Sequence, residues 1–338
     1  MPISRSARIA VTLGDPAGIG PEVALKALYA LRQDASAHYV LLGPALFYSS
    51  LARRLGLPLR FHDACWCETG SARGSIPCFS AGKLPSSLSK GRSDARLTAF
   101  AVRSIETAVA LAMEGVVDAI ATPPINKAGL KKAGFDIPGH TEYLAKLSKT
   151  KKFEMMLVGG GLRVVLVTRH VAIKDVSAGL TKQRILDAIA LTERELRVSF
   201  GLKRPRLAVA GLNPHAGEEG HIGTEEICTI APAVRAAKKR MRGVVIDGPL
   251  PPDVLFYQAY SGKYDAEICM YHDQGLIPLK MISRGGGVNV TLGLPFVRTS
   301  PDHGTAYDIA SKYCADAGSM TEALRLAAEL ARNRKRHV

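Results

Sequence analysis

Arg163-Val-Val-Leu-Val-Thr-Arg-His170, Leu207-Ala-Val-Ala-Gly-Leu-Asn-Pro-His215 and Glu267-Ile-Cys-Met-Tyr-His272 are three short apolar runs, and each ends in a histidine. Aliphatic and β-branched residues in runs of this length, bounded by glycine and polar residues, read as buried strands. In open α/β sheets, ligands bind outside the carboxyl ends of the strands. Three imidazoles delivered there by three strands can converge on one ion. Three neutral nitrogen ligands leave a divalent metal with its charge intact and a coordination position open. Such an ion polarises a substrate oxygen. Taken singly, each histidine reads more readily as a strand cap bonded to a neighbour. Their repetition after three similar runs favours the metal.

Working outward from these runs, strand-like and helix-like segments alternate along nearly the whole chain. Ile9–Leu13, Tyr39–Leu42 and Val116–Ala121 read as strands. Met155–Val158 and Val164–Val167 read as a strand pair around Gly159-Gly-Gly161. Helices are expected from about Pro21, over Asp94–Glu114, over Lys182–Phe200 behind a Thr181 cap, and over Glu225–Met241 behind Thr224. A last helix is expected from about Ser319, with Ser319 and Glu322 as a capping box. Helices between strands imply right-handed crossovers and a mostly parallel sheet covered on both faces. The stretch from Leu57 to Arg92 has no readable pattern. With 338 residues and 47% hydrophobic content the chain exceeds the usual single-core limit, so two lobes are expected, interleaved in sequence.

Composition excludes several classes. No apolar window approaches the ~18 residues of a membrane span, and Met1-Pro-Ile-Ser-Arg5 leads into a strand without a secretory signal. The six cysteines are scattered. Free thiols in a reducing cytoplasm are expected, and a metal at Cys65, Cys67 and Cys78 lacks a fourth ligand. The formal net charge of +15 suits an anionic ligand. Much of it lies on helical faces such as Lys238–Arg242 and in the tail Arg332–His337. No aromatic-interleaved basic stripe points to nucleic acid.

Several loops carry candidate chemistry. Gly14-Asp-Pro-Ala-Gly-Ile-Gly-Pro-Glu22 is either a tight structural turn or a ligand loop. Its glycines are not spaced as a dinucleotide fingerprint, and no Gly-Lys-Ser/Thr follows. Lys127, after Thr122-Pro-Pro-Ile-Asn, either meets a phosphate or carboxylate or faces water. His140 and Thr141, in Pro138-Gly-His-Thr-Glu142, stand where a helix N-terminus can receive an oxyanion; the plain alternative is a Thr141 cap. The densest segment runs from His272-Asp-Gln-Gly275 through Lys280 and Asn289 to Arg298. Arg298 can grip a phosphate or carboxylate bidentately. Lys280 serves either proton transfer, with a lowered pKa, or electrostatic binding. His303-Gly304-Thr305 is expected to open a helix and either accepts a nucleotide there or is a bare helix start.

The loop Gly14–Glu22, Pro138–Glu142, Leu212–Gly217, Tyr271–Gly275, Val288–Arg298 and Asp302–Thr305 together resemble the 4-hydroxythreonine-4-phosphate dehydrogenase family. These motifs span nearly the whole chain in the family's order. The segment His303–Ala310 is also similar to the cofactor loop of isocitrate and isopropylmalate dehydrogenases. The resemblance implies two α/β/α lobes with mostly parallel sheets, isocitrate/isopropylmalate dehydrogenase-like, with the active site in the cleft between them. It divides the chain into 1–130 with 285–338, on the cofactor side, and 131–284, carrying metal ligands and dimer interface. The implied reaction is NAD- or NADP-linked oxidation of 4-phosphooxy-L-threonine at its 3-hydroxyl, with decarboxylation to 3-amino-2-oxopropyl phosphate, in vitamin B6 biosynthesis. Carried over by motif, His170, His215 and His272 hold a divalent metal (zinc, magnesium or cobalt). His140, Thr141, Lys280, Asn289 and Arg298 bind substrate, and His303, Gly304 and Thr305 bind the cofactor. Lys280 or Asp253 assists proton movement. The implied partners are a small phosphorylated substrate and a second copy in a cytoplasmic homodimer that shares metal ligands. Three histidines of one chain therefore need not all meet within it. Pro123 departs from the small residue more usual in the family. Erythronate or threonate 4-phosphate remain alternative substrates, and a phosphate acyltransferase is the rival of similar architecture.

Overall fold

A computed structural model describes residues 6–65, 74–85, 89–136 and 139–336. Of the residues drawn on above, Met1–Arg5, Cys67, Pro138 and His337 lie outside them. The chain divides into two compact units. One comprises the residues up to Lys151 with Leu294–Arg336, and the other is Lys152–Gly293.

The first unit opens with β1 (Ala7–Val11), α1 (Gly20–Ala30), β2 (Ala37–Leu42), α2 (Ala45–Arg54), β3 (Phe61–Asp63), β4 (Ile76–Phe79), α3 (Ala95–Met113), β5 (Ala119–Ala121), α4 (Lys127–Lys132) and α5 (His140–Leu147). The second contains β6 (Glu154–Gly159), β7 (Leu162–Leu166), α6 (Val176–Gly179), α7 (Lys182–Val198), β8 (Arg206–Ala210), α8 (Ala231–Arg240), β9 (Val245–Leu250), α9 (Pro252–Tyr260), β10 (Ala266–Cys269), α10 (His272–Ser283) and β11 (Val288–Leu292). The chain then returns to the first unit with β12 (Val297–Pro301) and α11 (Gly318–Lys335).

In the first unit the strands lie in the order β3-β4-β2-β1-β5-β12, and every pair is parallel. In the second the order is β11-β6-β7-β10-β8-β9. There β6 runs antiparallel to β7 and β11, and the remaining pairs are parallel. Leu162, Val164, Leu166, Ala208, Ala210 and Cys269 are buried in one core cluster with Leu255 of α9 and Leu276 and Leu279 of α10. Burial on both faces explains why these strands are unbroken apolar runs.

The sheet orders decide the positions of the three histidines. β10 pairs in parallel with β7 on one side and β8 on the other, with Ile268 in register with Val165 and Val209. The carboxyl ends of these neighbours share one edge, and His170, His215 and His272 follow those ends.

Local signals account for most element boundaries. Asp94 caps α3 by accepting from the Arg96 amide at 2.8 Å. Thr181 caps α7 by accepting from the Arg184 amide at 3.2 Å. Gly160 and Gly161 turn the β6–β7 hairpin at φ 59° and 89°, where side chains are disfavoured.

Several expectations need correction. The compact units divide at 151/152 and 293/294, where 130/131 and 284/285 were expected as lobe boundaries. Helix α5, with His140 and Thr141, stays in the first unit because it packs on α3. Strand β11, with Asn289, stays in the second because it pairs with β6. The 57–92 stretch carries the short parallel pair β3–β4. The 225–241 helix opens as a π turn over Glu226–Ile230. Ser319 does not cap α11: it lies inside the first turn, and its hydroxyl accepts from the Asp302 amide at 3.1 Å. Glu322 instead pairs with Arg325 at 2.5 Å. No helix opens at His303, because residues 302–315 form turns and coil before α11. Among the described residues no helix is long and apolar enough to cross a membrane.

Glu267 is 1% exposed within β10. Burial pushes its carboxyl up to about 8, against the Arg163 amide, which donates to it at 3.1 Å. A carboxyl raised in the folded state contributes stability that is fully present below its unfolded pKa and lost as pH rises through its folded pKa. The window here is from about pH 4.5 to 8. Glu267→Gln keeps the accepted bond and removes the titration. Its melting temperature is expected to match the wild type near pH 4.5 and to exceed it increasingly up to pH 8. The underlying stability difference should reach on the order of a few kcal/mol. Parallel melting curves across that range would show that the carboxyl is not the source of the loss.

Candidate active site

His170 follows β7 and is exposed, and His272 is the first residue of α10, directly beyond β10. Their ring centroids are 5.8 Å apart with the planes tilted by 41°. Both line a cavity of about 270 Å³ with Arg169, Val171, Tyr271 and Asp273. The Asp273 carboxylate lies 2.6 Å from His272 Nδ1. A carboxylate on Nδ1 holds that nitrogen protonated and turns the Nε2 lone pair outward, the arrangement that ligating histidines use.

His215 follows β8 in a turn of unusual backbone. Residues 215–219 are all left-handed, with φ of 52°, 55°, 84°, 43° and 57°. Only Gly217 adopts this region without cost; a left-handed L-residue costs roughly 1–2 kcal/mol. His215 is exposed, and its Nδ1 is bonded to the Glu218 carboxylate. That bond, the Glu218 charge and the nearby Asp253 raise its pKa. His215 therefore carries the same carboxylate-on-Nδ1 arrangement as His272.

Neutral imidazoles with carboxylates behind them are the donor chemistry of a divalent zinc-like ion. The residues fit such an ion as a partial set. Among the described residues no three His, Cys, Asp or Glu side chains are gathered around one point. Within the chain His170 and His272 stand close together, and no third described ligand joins them around one point. The same observation leaves Cys65 and Cys78 without a metal cluster among the described residues.

The first unit buries a guanidinium close to a histidine. Arg298 of β12 is 2% exposed and donates from Nε and Nη2 to Thr122 Oγ1 at 3.0 and 2.7 Å. Burial pulls its pKa down to about 10, opposed by Glu142, so it stays charged at neutral pH. Helix α5 starts at His140 behind Gly139, and its second residue, Thr141, is buried. No side chain caps this helix, so Thr141 is not a plain cap. His140 Nε2 is buried with no hydrogen-bond partner. Burial, then the charges of Arg298 and Lys127, hold the His140 imidazole well below its usual range. Lys127, at the start of α4, is exposed, and its Nζ lies 3.9 Å from where a Cβ on Gly139 would be. A neutral histidine with an orphaned nitrogen, a buried guanidinium and a lysine at a helix start have the chemistry to receive an anion that brings its own hydrogen-bonding oxygens.

The Gly14–Glu22 loop is buried throughout and packs on the 303–307 segment. The Ile19 amide donates to Thr305 O at 3.0 Å, and the Tyr307 hydroxyl donates to Asp15. A Cβ on Gly18 would lie 2.8 Å from Thr305 O. The glycines therefore serve a close backbone approach. Lys90 donates to Gly18 O at 2.9 Å, and burial lowers its pKa to about 8. Gly304 is exposed with nothing within 4 Å of a would-be Cβ, and His303 Nε2 is buried without a partner. Open backbone beside an orphaned nitrogen fits the approach of a nucleotide.

The remaining sequence-derived residues lie in the second unit. Lys280 is exposed near the end of α10, Asn289 is half-buried on β11, and Asp253 is exposed in the first turn of α9. Sequence reasoning passed over Thr122 as the Arg298 partner, Glu218 behind His215, and the Asp15–Tyr307–Lys90 contacts. Thr122 directly follows a strand end, which was a usable signal. Glu218 stands only three residues after His215, a spacing that was also usable, whereas the Asp15–Tyr307–Lys90 contacts join residues too distant in sequence to leave a signal or lie in the patternless stretch.

Two α/β units with mostly parallel strands, a histidine pair beyond strand ends and a buried Arg298–His140 cluster suit an enzyme of small anionic substrates. The family model "Pyridoxal phosphate biosynthetic protein PdxA" matches residues 38–327. The 4-hydroxythreonine-4-phosphate dehydrogenase of Desulforapulum autotrophicum is 44% identical over 327 residues, covering 95% of this chain and 94% of that protein. That of Caulobacter vibrioides is 44% identical over 332 residues, covering 96% and 98%. The crystal structure of the Klebsiella pneumoniae 4-hydroxythreonine-4-phosphate dehydrogenase superposes with a TM-score of 0.87 at 42% identity, covering 97% of this chain and 98% of that one. The chain belongs to the PdxA family of pyridoxal phosphate biosynthetic proteins.

Proposed function

We propose that this chain is a divalent-metal-dependent, NAD(P)-linked dehydrogenase. It oxidises 4-phosphooxy-L-threonine at the 3-hydroxyl to 2-amino-3-oxo-4-phosphooxybutanoate, which decarboxylates to 3-amino-2-oxopropyl phosphate on the route to pyridoxal phosphate. Family membership over residues 38–327 carries this reading. The buried Arg298–His140 receptor supports it, since it suits a phosphate or carboxylate.

His170, His215 and His272 are the ligands we assign to the metal. The bound ion would supply Lewis acidity toward the substrate hydroxyl, and the nicotinamide a hydride acceptor. The chain's residues bind, orient and move protons. Arg298 and Lys127 neutralise substrate charge, and Thr122 fixes the guanidinium plane through two bonds. Neutral His140 gives or accepts a hydrogen bond through Nε2 without adding charge. Thr141, Lys280 and Asn289 complete the substrate contacts we assign. Lys280 or Asp253 takes up the hydroxyl proton. His303, Gly304 and Thr305 bind the cofactor, through the open Gly304 backbone and the orphaned His303 Nε2.

A second copy of the chain completes the metal set in this reading. His170 is followed by Val171 and Ile173, which are 47% and 72% exposed. Apolar side chains left open beside an incomplete ligand set suit burial by a partner. We place the enzyme in the cytoplasm, where scattered cysteines stay reduced.

The test follows the absorbance of reduced nicotinamide with 4-phosphooxy-L-threonine and, separately, with erythronate 4-phosphate, each with and without chelator. Chelator-sensitive turnover with the first substrate, at least tenfold above the second, is expected. Preference for the sugar-acid phosphate would reassign the substrate. Equal rates after metal removal would overturn the ligand assignment.

A further inference from the structure

We propose that Glu226 and Gln274 are positioning residues. They form a buried brace that holds the left-handed His215 turn and ties it to the backbone that presents His272. The inference rests on the reading that these two histidines are metal ligands.

Glu226 is 3% exposed and opens the π turn ahead of α8. Its Oε1 accepts from the Leu212 and Asn213 amides at 2.7 and 2.8 Å. Its Oε2 accepts from Asn213 Nδ2 at 2.9 Å. One carboxylate thus gathers three donors from the two residues just before Pro214-His215. It also lies beneath the turn, since a Cβ on Gly217 would come 2.7 Å from Oε2. Asn213 Nδ2 donates a second bond to Glu225 at 2.8 Å, and Ser177 donates to Glu225 at 2.7 Å.

Gln274 is 8% exposed in the first turn of α10. Its Oε1 accepts from the Met270 amide at 2.7 Å, at the end of β10. Its Nε2 donates to Gly211 O at 2.6 Å, at the end of β8. One side chain therefore bridges the two neighbouring strand ends that lead to His272 and His215. Gly211 adjoins Leu212, whose amide Glu226 holds, so the two bonding sets meet at consecutive residues.

Four left-handed side-chain-bearing residues do not persist on local preference; strained backbone survives where the surroundings over-determine it. Charge-assisted bonds from buried amides to a carboxylate are strong enough to do so. Such outlying partners typically change metal affinity 10–100-fold when removed. π turns also recur at functional sites, where they re-aim a side chain.

The test measures Co²⁺ affinity and the Co²⁺ visible absorption spectrum of the full chain, with the apo-protein melting temperature recorded alongside. Wild type and His215→Ala are the references. Stoichiometric binding by wild type and its loss in His215→Ala are expected; failure of either would sink the ligand reading itself. With both references as expected, Glu226→Gln and Gln274→Met carry the inference. Glu226→Gln preserves volume but sets an amide NH₂ against the Asn213 donor. Gln274→Met removes the bridge with little change of shape. Each is expected to weaken Co²⁺ binding about 10-fold or more and to shift the absorption bands. Folded variants with wild-type affinity and spectrum would overturn the brace, whatever their melting temperatures. Should one variant fail to fold, the other decides by the same criteria.

Discussion

Turnover that depends on added metal is expected to fall by at least about a thousandfold in His215→Ala, because Lewis-acid assistance is worth several kcal/mol and each 1.4 kcal/mol is a factor of about ten. The fold should stay intact. His215 is exposed, and its bonded partner Glu218 is exposed as well. Neither packs in the core cluster around Leu166 and Leu276. Surface changes of this kind usually move stability by about 0.5 kcal/mol or less. The measurement is single-turnover nicotinamide reduction at saturating metal, with circular dichroism as the control. Full activity in the variant would remove His215 from the ligand set and leave the left-handed turn without a function.

Loss of substrate affinity is the second large effect. Arg298→Ala removes a 2%-exposed guanidinium that Thr122 orients. Truncating a buried, hydrogen-bonded charge partner costs roughly 2–5 kcal/mol. KM for the phosphorylated substrate should rise about 30-fold or more, with a smaller change in kcat. The same loss relieves His140 of a neighbouring positive charge, which lowers its pKa in the intact site. The His140 imidazole should therefore titrate at higher pH in the variant, as read by NMR of the ring protons. An unchanged KM, with His140 titrating as in wild type, would take Arg298 out of the anion site. Arg298→Lys is expected to recover little, since a point charge cannot copy the planar fork that meets Thr122 twice.

The fold was legible wherever one physical signal dominated. The runs at Leu207–Ala210 and Ile268–Cys269 are buried strands because a sheet covered on both faces accepts consecutive apolar residues. Asp94 and Thr181 were readable as caps because a short side-chain oxygen before an amphipathic run has one favoured use. Signals failed where two uses competed. Ser319 and Glu322 have capping-box spacing, yet the Ser319 hydroxyl serves the Asp302 amide instead. His303-Gly304 suggested a helix start, but Thr305 O accepts from Ile19 and ties the segment to the Gly14 loop. The helix before α8 begins as a π turn because the Glu226 carboxylate is turned toward residues 212 and 213.

The site divides along the same line. Sequence alone determined that imidazoles follow three strand ends, because strand character is local and a histidine after an apolar run needs no partner to be noticed. It also marked Arg298 and His140 as anion-binding candidates by residue type and neighbourhood. Only the tertiary structure decided that His170 and His272 stand side by side and that His215 is carried on a left-handed turn. Only it sealed the Arg298 guanidinium against Thr122, 176 positions away. Those outcomes depend on strand order and on hydrogen bonds between residues far apart in the chain. Such bonds have no period and no spacing, so they exist only once the sheet has brought their partners together.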